Sequence, residues 1–417
     1  MKLQDNAAAK PVSIVAIGAG NRMRTYMHYV KQHPDQVVLA AVVEPDAIRR
    51  DAMADEFHLG ADRRFTDYQS FFQHPVKADA VIICTPENAH FEPCMEAIAK
   101  GYHILLEKPI AQTLEQCRQI AEAAHRAGVM VGVCHVLRYL PCFRKIKELV
   151  DSGELGQIIS INHVEGVGLD RMTHSYVRGI WNRQRESNPM FLAKCCHDVD
   201  FLLWITRSRC HSLNSYGSLR WFREENAPKG SAQRCVDCQV ETSCPFSAVN
   251  LYERRHDWIS NFDVPEGQTI DEVIRQELRS GRYGRCVFHC DNDVVDNQCV
   301  NMQLQDKTTI TLSMKCFTQS DHRTTSIQFT NGEIKCDESK VYVRHFLTCR
   351  RDIYDYTEDM AKPFHGGADL NIFADFVRAV SGDPDVLPTS IDEAIESHRL
   401  CFEVERSRLS GQTVIVD

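Results

Sequence analysis

Glycines at positions 18 and 20, in the run VSIVAIGAGNRM from Val12 to Met23, have the type and spacing that most directly imply chemistry. An apolar strand, a glycine turn and helix-forming sequence bring free backbone N–H groups and the positive end of a helix dipole to one point, as pyrophosphate binding requires. Gly18 makes the tight turn, Gly20 lets the backbone approach the phosphates, and Asn21 and Arg22 open the helix. Met23 stands where the GxGxxG pattern has its third glycine, so helix and strand should pack less closely there. Glu44 closes the apolar run from Val37 to Val43 at the spacing of a carboxylate that accepts ribose hydroxyls. Its charge would repel a 2′-phosphate, which favours NAD over NADP. A second cluster, Cys235-x2-Cys238-x5-Cys244, has metal-like spacing. Three thiolates so close together bind zinc tetrahedrally if a fourth arrives, with Cys286, Cys290 or Cys210 as candidates. An iron–sulfur centre, or surface cysteines that are reduced or disulfide-linked, would fit the same spacing.

The elements that must hold these residues follow from periodicity. From Val12 to about Val133, β-rich runs alternate with amphipathic helices, the pattern of a doubly wound parallel sheet. Strands are expected at Val12 to Ile17, Val37 to Val43, Ala80 to Cys84, His103 to Leu106 and Val129 to Val133. A Thr113 and Gln116 capping box precedes Leu114, Cys117, Ala121 and Ala124 at helical spacing. Ligands bind at the carboxyl ends of such strands, which here carry Gly18 to Arg22, Glu44, Thr85 to His90, Glu107 to Pro109 and His135. A domain over residues 1–135 is therefore expected, with a second, α/β domain over 136–417.

In that second domain a helix starting at Pro141 ends near Gly153, and Gly156 to Val164 reads as a strand. Alternation from Arg285 to Phe346 predicts a large, mainly antiparallel open sheet, with hairpins at Asp306-Lys307 and Asn331-Gly332. Two helices follow, over Leu370 to Val380 and after a Ser390 and Glu393 capping box. The irregular segment 220–281 reads as a cysteine-containing insert.

Composition bounds the function. A chain of 417 residues, 43% hydrophobic, builds two domains of ordinary size. A net charge of −9 without a basic block argues against general nucleic-acid binding. No signal-peptide core or membrane-length apolar run is found, so a soluble cytoplasmic protein is expected. Most of the 18 cysteines, Cys84, Cys94, Cys134 and Cys316 among them, lie in apolar patterns and read as buried thiols of a reducing compartment.

GAGNRM, AVVEPD, ICTPENAHF, the Glu107-Lys108-Pro109 triplet and the helix containing His197-Asp198-Val199-Asp200 together resemble the glucose-fructose oxidoreductase, inositol dehydrogenase and MocA (Gfo/Idh/MocA) family over nearly the whole chain. The resemblance implies a Rossmann domain joined to an α/β domain whose open sheet often forms oligomer contacts, so a homodimer or homotetramer is expected. It also implies a sugar, cyclitol or related polyol substrate. Lys108 matches the family's catalytic lysine, whose ammonium stabilises charge developing on a carbinol oxygen and can relay a proton. His197 matches the histidine that exchanges the substrate hydroxyl proton. Many relatives carry Asp one turn earlier, where this chain has Ala193 followed by Lys194. Lys194 shares a helix face with His197 and either replaces that carboxylate or extends to solvent.

Thr85, Pro86 and His90 match a loop that lines the nicotinamide ribose, and His135 and Arg138 match a segment entering the active site. Arg138 either holds substrate or forms an interdomain ion pair. Tyr176, Arg178 and Trp181 have the pattern of a sugar site, and of a loop-packing cluster equally. His365 is a candidate substrate contact. The expected activity is NAD-dependent hydride transfer at a CH–OH carbon. An NAD-dependent glycosidase or lyase acting through transient oxidation uses the same residues, and a non-catalytic NAD-binding regulator is the third reading.

Overall fold

Val, Ile, Leu and Ala fill the strands nearest the N-terminus, and strands apolar at nearly every position belong to a parallel sheet covered on both faces. In the computed structural model, which describes residues 10–416, these are β1 (Val12–Ile17), β2 (Val37–Val43), β3 (Arg64–Phe65), β4 (Ala80–Ile83), β5 (His103–Leu106) and β6 (Val131–Val133). They pair in the order β3-β2-β1-β4-β5-β6, all parallel, so the direction of winding reverses between β1 and β4. Such a reversal opens a crevice at the carboxyl ends of the two strands. Four expected strands agree to within a residue; the last begins at Val131 rather than Val129, and β3 is too short to leave a pattern.

Gly18 shows why the turn after β1 cannot carry a side chain. Its φ is +90°, and a Cβ there would lie 2.7 Å from the Cys84 carbonyl oxygen at the end of β4. Gly20 differs, with nothing within 4 Å of where its Cβ would stand. Met23 is fully buried, so the position expected to loosen helix packing is instead filled by a core side chain.

The chain forms two compact units. The first runs to Tyr139 and takes in Pro363–Ile395 as well; the second comprises Leu140–Lys362 and the chain from Glu396. Where one crossing was expected after residue 135, the chain leaves the first unit four residues later and then comes back. In the first unit the returning segment supplies the helix Ala368–Val380, where Phe373 stacks on Tyr26 at 5.5 Å between ring centres.

The second unit is built on β7 (Ile158–Gly166), β8 (Cys210–Ser218), β9 (Asn297–Leu304), β10 (Thr309–Lys315), β11 (His322–Phe329), β12 (Gly332–Cys336), β13 (Lys340–His345), β14 (Arg351–Asp355) and β15 (Val414–Ile415). Their order is β14-β13-β12-β11-β7-β10-β9-β8-β15, with only the β7 and β10 pair parallel. Alternation sets the register: Ile310 faces Met302 and Leu312 faces Val300, all on the buried side. Phe143 of the helix Pro141–Ser152 stacks at 4.3 Å on Phe201 of the helix Met190–Thr206, forming part of the layer over that side. Residues 220–281 form short turns and one regular helix, Ile270–Ser280, started by a Thr269 and Glu272 capping box. They have a small core of their own around Tyr252, Leu251, Ile274 and Leu278.

The two glycines should respond differently to alanine. Gly18→Ala should cost on the order of 2 kcal/mol or more through backbone strain and overpacking, whereas Gly20→Ala should leave stability nearly unchanged; chemical denaturation of both variants checks this.

Candidate active site

The residues at the carboxyl ends of β1, β2, β4 and β5 are brought together within the first unit. The helix Asn21–Gln32 begins at Gly20 with no side-chain cap, and a helix N-terminus of this kind attracts an anion. Glu44 is buried beside this turn, its Oε2 accepting the Ala19 N–H at 2.7 Å and its Oε1 the Asp46 N–H at 3.0 Å. The carboxylate thus shapes the glycine turn as well as standing at the ribose position. The space beside Gly20, with nothing within 4 Å of where a Cβ would stand, is the opening at this end of the sheet.

Arg22 does not extend toward that opening. Its Nε donates to Glu107 Oε1 at 2.7 Å, and an Nη donates to Tyr26 Oη at 2.8 Å and to Asp369 Oδ1 at 2.7 Å. Met23 points into the core, so neither side chain takes the cofactor contact expected of it. Glu107 also accepts the Tyr26 hydroxyl at 2.7 Å and the Lys108 N–H at 3.2 Å. Burial alone would raise the Glu107 pKa, but Arg22, Lys108 and the Tyr26 hydroxyl outweigh it and hold the carboxyl below its usual value. Lys108, half-buried, follows this anchored carboxylate directly, so its backbone position is fixed by a paired, ionised neighbour.

Thr85 and His90 close the next loop. The Thr85 hydroxyl donates to the Ala89 carbonyl at 2.9 Å, and the buried His90 ring has Nδ1 2.8 Å from the Pro109 carbonyl and Nε2 3.1 Å from the Thr85 carbonyl. His90 therefore ties the β4 loop to the segment after Lys108. His135 is fully buried, and burial, then Arg138 and Lys108, push its pKa down to about 3. Arg138 is buried too, donating to the Pro388 carbonyl at 2.6 Å and lying 3.5 Å from Glu393. Its expected substrate contact is replaced by these, and the ion pair is formed inside one unit. His365, exposed and at a φ of +51°, pairs with Asp369 at 2.7 Å.

In the second unit, the helix Met190–Thr206 carries Lys194, His197 and Asp198. Lys194 Nζ pairs with Glu165 Oε1 at 3.0 Å, so neither a solvent-facing lysine nor a free substitute for the missing carboxylate describes it. Glu165 Oε2 and Asp198 Oδ1 each lie 2.7 Å from Arg323 Nε, and His163 Nε2 reaches Asp198 Oδ1 at 2.8 Å. Burial opposes ionisation of Asp198, but Arg323 and then His163 hold its pKa well below the usual range. Glu165, still pushed up by burial, is relieved by Arg323 and Lys194. This network anchors the helix on either side of His197, which is itself buried. Sequence reasoning missed His163, Glu165 and Arg323. The signal was present for two of them, since His163 and Glu165 share strand phase with buried Ile161.

The expected sugar-site cluster lies elsewhere. All of Met172–Arg178 is a buried π-helical segment. Tyr176 lies 6.2 Å from Trp181 between ring centres, as a packing cluster would. Arg178 is fully enclosed, its Nε donating to the Arg285 carbonyl at 2.8 Å, which withdraws it from the substrate role expected of it. His174 stacks on Tyr283 at 4.6 Å and on Trp258 at 4.9 Å, and its Nδ1 meets the Tyr252 hydroxyl at 2.8 Å. Cys235, Cys238, Cys244 and Cys286 line one small cavity with Arg178. Among the described residues, no three or more His, Cys, Asp or Glu are drawn together closely enough to hold a metal ion, so the zinc expectation is not met by the geometry as it stands. Every cysteine of the chain is free of disulfide linkage.

These features define a doubly wound, Rossmann-type nucleotide-binding fold. Residues 12–135 match the family described as oxidoreductase family, NAD-binding Rossmann fold. It is 21% identical over 267 residues to the putative oxidoreductase YteT of Bacillus subtilis (strain 168), covering 63% of this chain and 61% of that protein. It is 30% identical over 169 residues to the 1,5-anhydro-D-fructose reductase of Ensifer adhaerens, covering 40% of this chain and 48% of the reductase. The matches thus span about half to three-fifths of those relatives. The structure of an oxidoreductase from Agrobacterium radiobacter, solved with NAD+, L-tartaric acid and magnesium, shares the fold at a TM-score of 0.71 and 16% identity, over 97% of this chain and 98% of that one.

Burial of neutral His174 makes stability depend on pH. Burial, then Arg178 and Arg171, push its pKa down to about 3, against about 6.5 in an unfolded chain. The unfolded state binds the extra proton between those values, so this contribution is complete above about pH 6.5 and is lost as the pH falls toward 3. His174→Phe, which keeps a ring in the stack, should show a shallower fall in Tm from pH 7 to pH 5 than the wild type in calorimetry.

Proposed function

We propose that this protein is an NAD-dependent oxidoreductase that moves a hydride between a nicotinamide and a CH–OH carbon of a sugar, cyclitol or related polyol. What carries the reading is the placement, at the carboxyl edge of one parallel sheet, of an uncapped helix N-terminus, the Glu44 carboxylate and Lys108 beside an ionised Glu107. The family match and the named activity of the Ensifer relative support the substrate class. Bound at Gly18, Gly20, Asn21, Glu44 and Thr85, the dinucleotide would supply the hydride acceptor or donor.

The chain's own groups then manage charge and protons. Lys108, positively charged and held by the segment that Glu107 anchors, stabilises the oxygen as its bond to hydrogen breaks. His197 accepts that proton in oxidation and returns it in reduction, so one hydride and one proton leave the carbinol together. Glu165 keeps the Lys194 ammonium in place, which makes Lys194 a positioning residue of the His197 helix. Tyr342 and Ile353 face each other across β13 and β14, both exposed, and Tyr216 stands exposed on β8. The apolar pair on β13 and β14 supports a homo-oligomer formed through that edge of the open sheet. No helix among the described residues is long and apolar enough to cross a membrane, and the free thiols agree with a cytoplasmic setting.

Cofactor choice is tested first. Titration calorimetry should give tighter binding of NAD than of NADP, with Glu44→Ala narrowing the difference; equal dissociation constants for the two in the wild type would reject the preference. Gly20→Ala should weaken both cofactors, because its methyl occupies the approach to the phosphates.

Chemistry is tested with a panel of polyols and glycosides. Lys108→Ala or His197→Ala should lower turnover by roughly 10²-fold or more with little change in NAD affinity. A deuterium label on the oxidised carbon should accumulate in NADH. Product release without net NADH, with solvent exchange at the neighbouring carbon, would instead identify redox-neutral cleavage.

A further inference from the structure

Arg178 presents a charge that the protein around it does not balance. The guanidinium is fully buried, and its Nη2 donates to the Phe246 carbonyl at 2.6 Å while Nη1 has no hydrogen-bond partner. Among the described residues, no carboxylate stands within ion-pair distance of it. An arginine cannot shed its proton to escape burial, so such a site calls for an anion. What faces it is sulfur. Nη2 lies 3.8 Å from Cys235 Sγ, and the same sulfur accepts the Ala248 N–H at 3.4 Å. That sulfur also lies 3.8 Å from the Arg285 carbonyl oxygen.

We propose that Cys235, Cys238, Cys244 and Cys286 form a tetrathiolate zinc site whose negative charge Arg178 offsets in part. All four line one cavity with the guanidinium, and its volume is about 10 Å³. That is room for about one water-sized sphere, a size that suits a single ion. Zinc takes four sulfurs without geometric preference from d electrons. The sulfurs are not gathered at coordinating distance in this structure and must draw together on binding. The local backbone permits this, since Cys235–Asp237 and Glu241–Ser243 are single turns joined by loops.

On binding, four S–H bonds break, four protons pass to solvent and four Zn–S bonds form, with no change of oxidation state. The resulting site carries two negative charges against one on the guanidinium. It ties residues 235–244 to Cys286 across a lobe whose own core is only a few side chains, so its role is to hold the lobe together.

The test is elemental analysis and zinc-edge X-ray absorption on the full chain purified under reducing conditions without chelator. About one zinc per chain with about four sulfur neighbours at about 2.3 Å is expected. Arg178→Met should weaken zinc binding by about 10–100-fold in competition with a chromophoric chelator. Cys238→Ser, at a half-exposed position, should lose the four-sulfur signature; the wild-type spectrum decides the matter should that variant misfold. Absence of metal together with no zinc uptake by the reduced chain would overturn the proposal. So would iron with labile sulfide, or zinc bound mainly through nitrogen or oxygen.

Discussion

Buried carboxylates need a counter-charge, and in each unit an arginine meets that need for two of them. Arg22 joins Glu107 at the end of β5 to Asp369 at the start of a helix 347 residues further on. Arg323 joins Glu165 of β7 to Asp198 of the helix that carries His197, and reaches Glu338 at 3.0 Å. Neither set of ions is cheap to bury, and removing one partner would leave an uncompensated charge in the interior. What they supply is position. One network fixes the peptide before Lys108, and the other fixes the helix turn after His197. Both candidate catalytic side chains thus hang on backbones whose placement is set by ion pairs beside them.

The cofactor cradle is governed by another constraint, the closeness of β1 and β4. Where the two strands part, the Cys84 carbonyl leaves no room for a Cβ on residue 18, while residue 20 faces open space. A steric limit within the protein thus requires glycine at position 18 and leaves position 20 unconstrained by its neighbours. The helix beyond is secured by the buried Met23 side chain, so the third glycine of the usual pattern is dispensable here.

The first sheet was legible because its strands are apolar throughout and punctuated by turns, signals that survive without tertiary knowledge. The hairpins of the second sheet were legible too, since Val300, Met302 and Leu304 alternate with polar neighbours as a half-buried strand must. Three things were not. A two-residue strand such as β3 has no period to detect. The return of Pro363–Ile395 to the first unit depends on contacts such as Val133 N–H to the Thr389 carbonyl at 2.8 Å, which no local pattern encodes. Arg178 looked like a polar hand for a hydroxyl because its neighbours are aromatic, yet those neighbours are the interior of a lobe. His163 and Glu165 were readable in principle, being polar residues on the buried phase of β7, a combination that requires partners.

The discontinuity of the first unit bears on how the protein is made. Synthesis at about 5–20 residues per second separates Arg22 from Asp369 by roughly tens of seconds. Until then the growing chain holds a nearly complete Rossmann sheet lacking its last helix, with Tyr26 missing the Phe373 ring that covers it. Leu140–Lys362, the larger part of the second unit, is translated during this interval. The ribosome thus hands over the first half unfinished, and chaperones that recognise exposed aromatic surface have their longest opportunity there, on the very unit that holds the glycine turn.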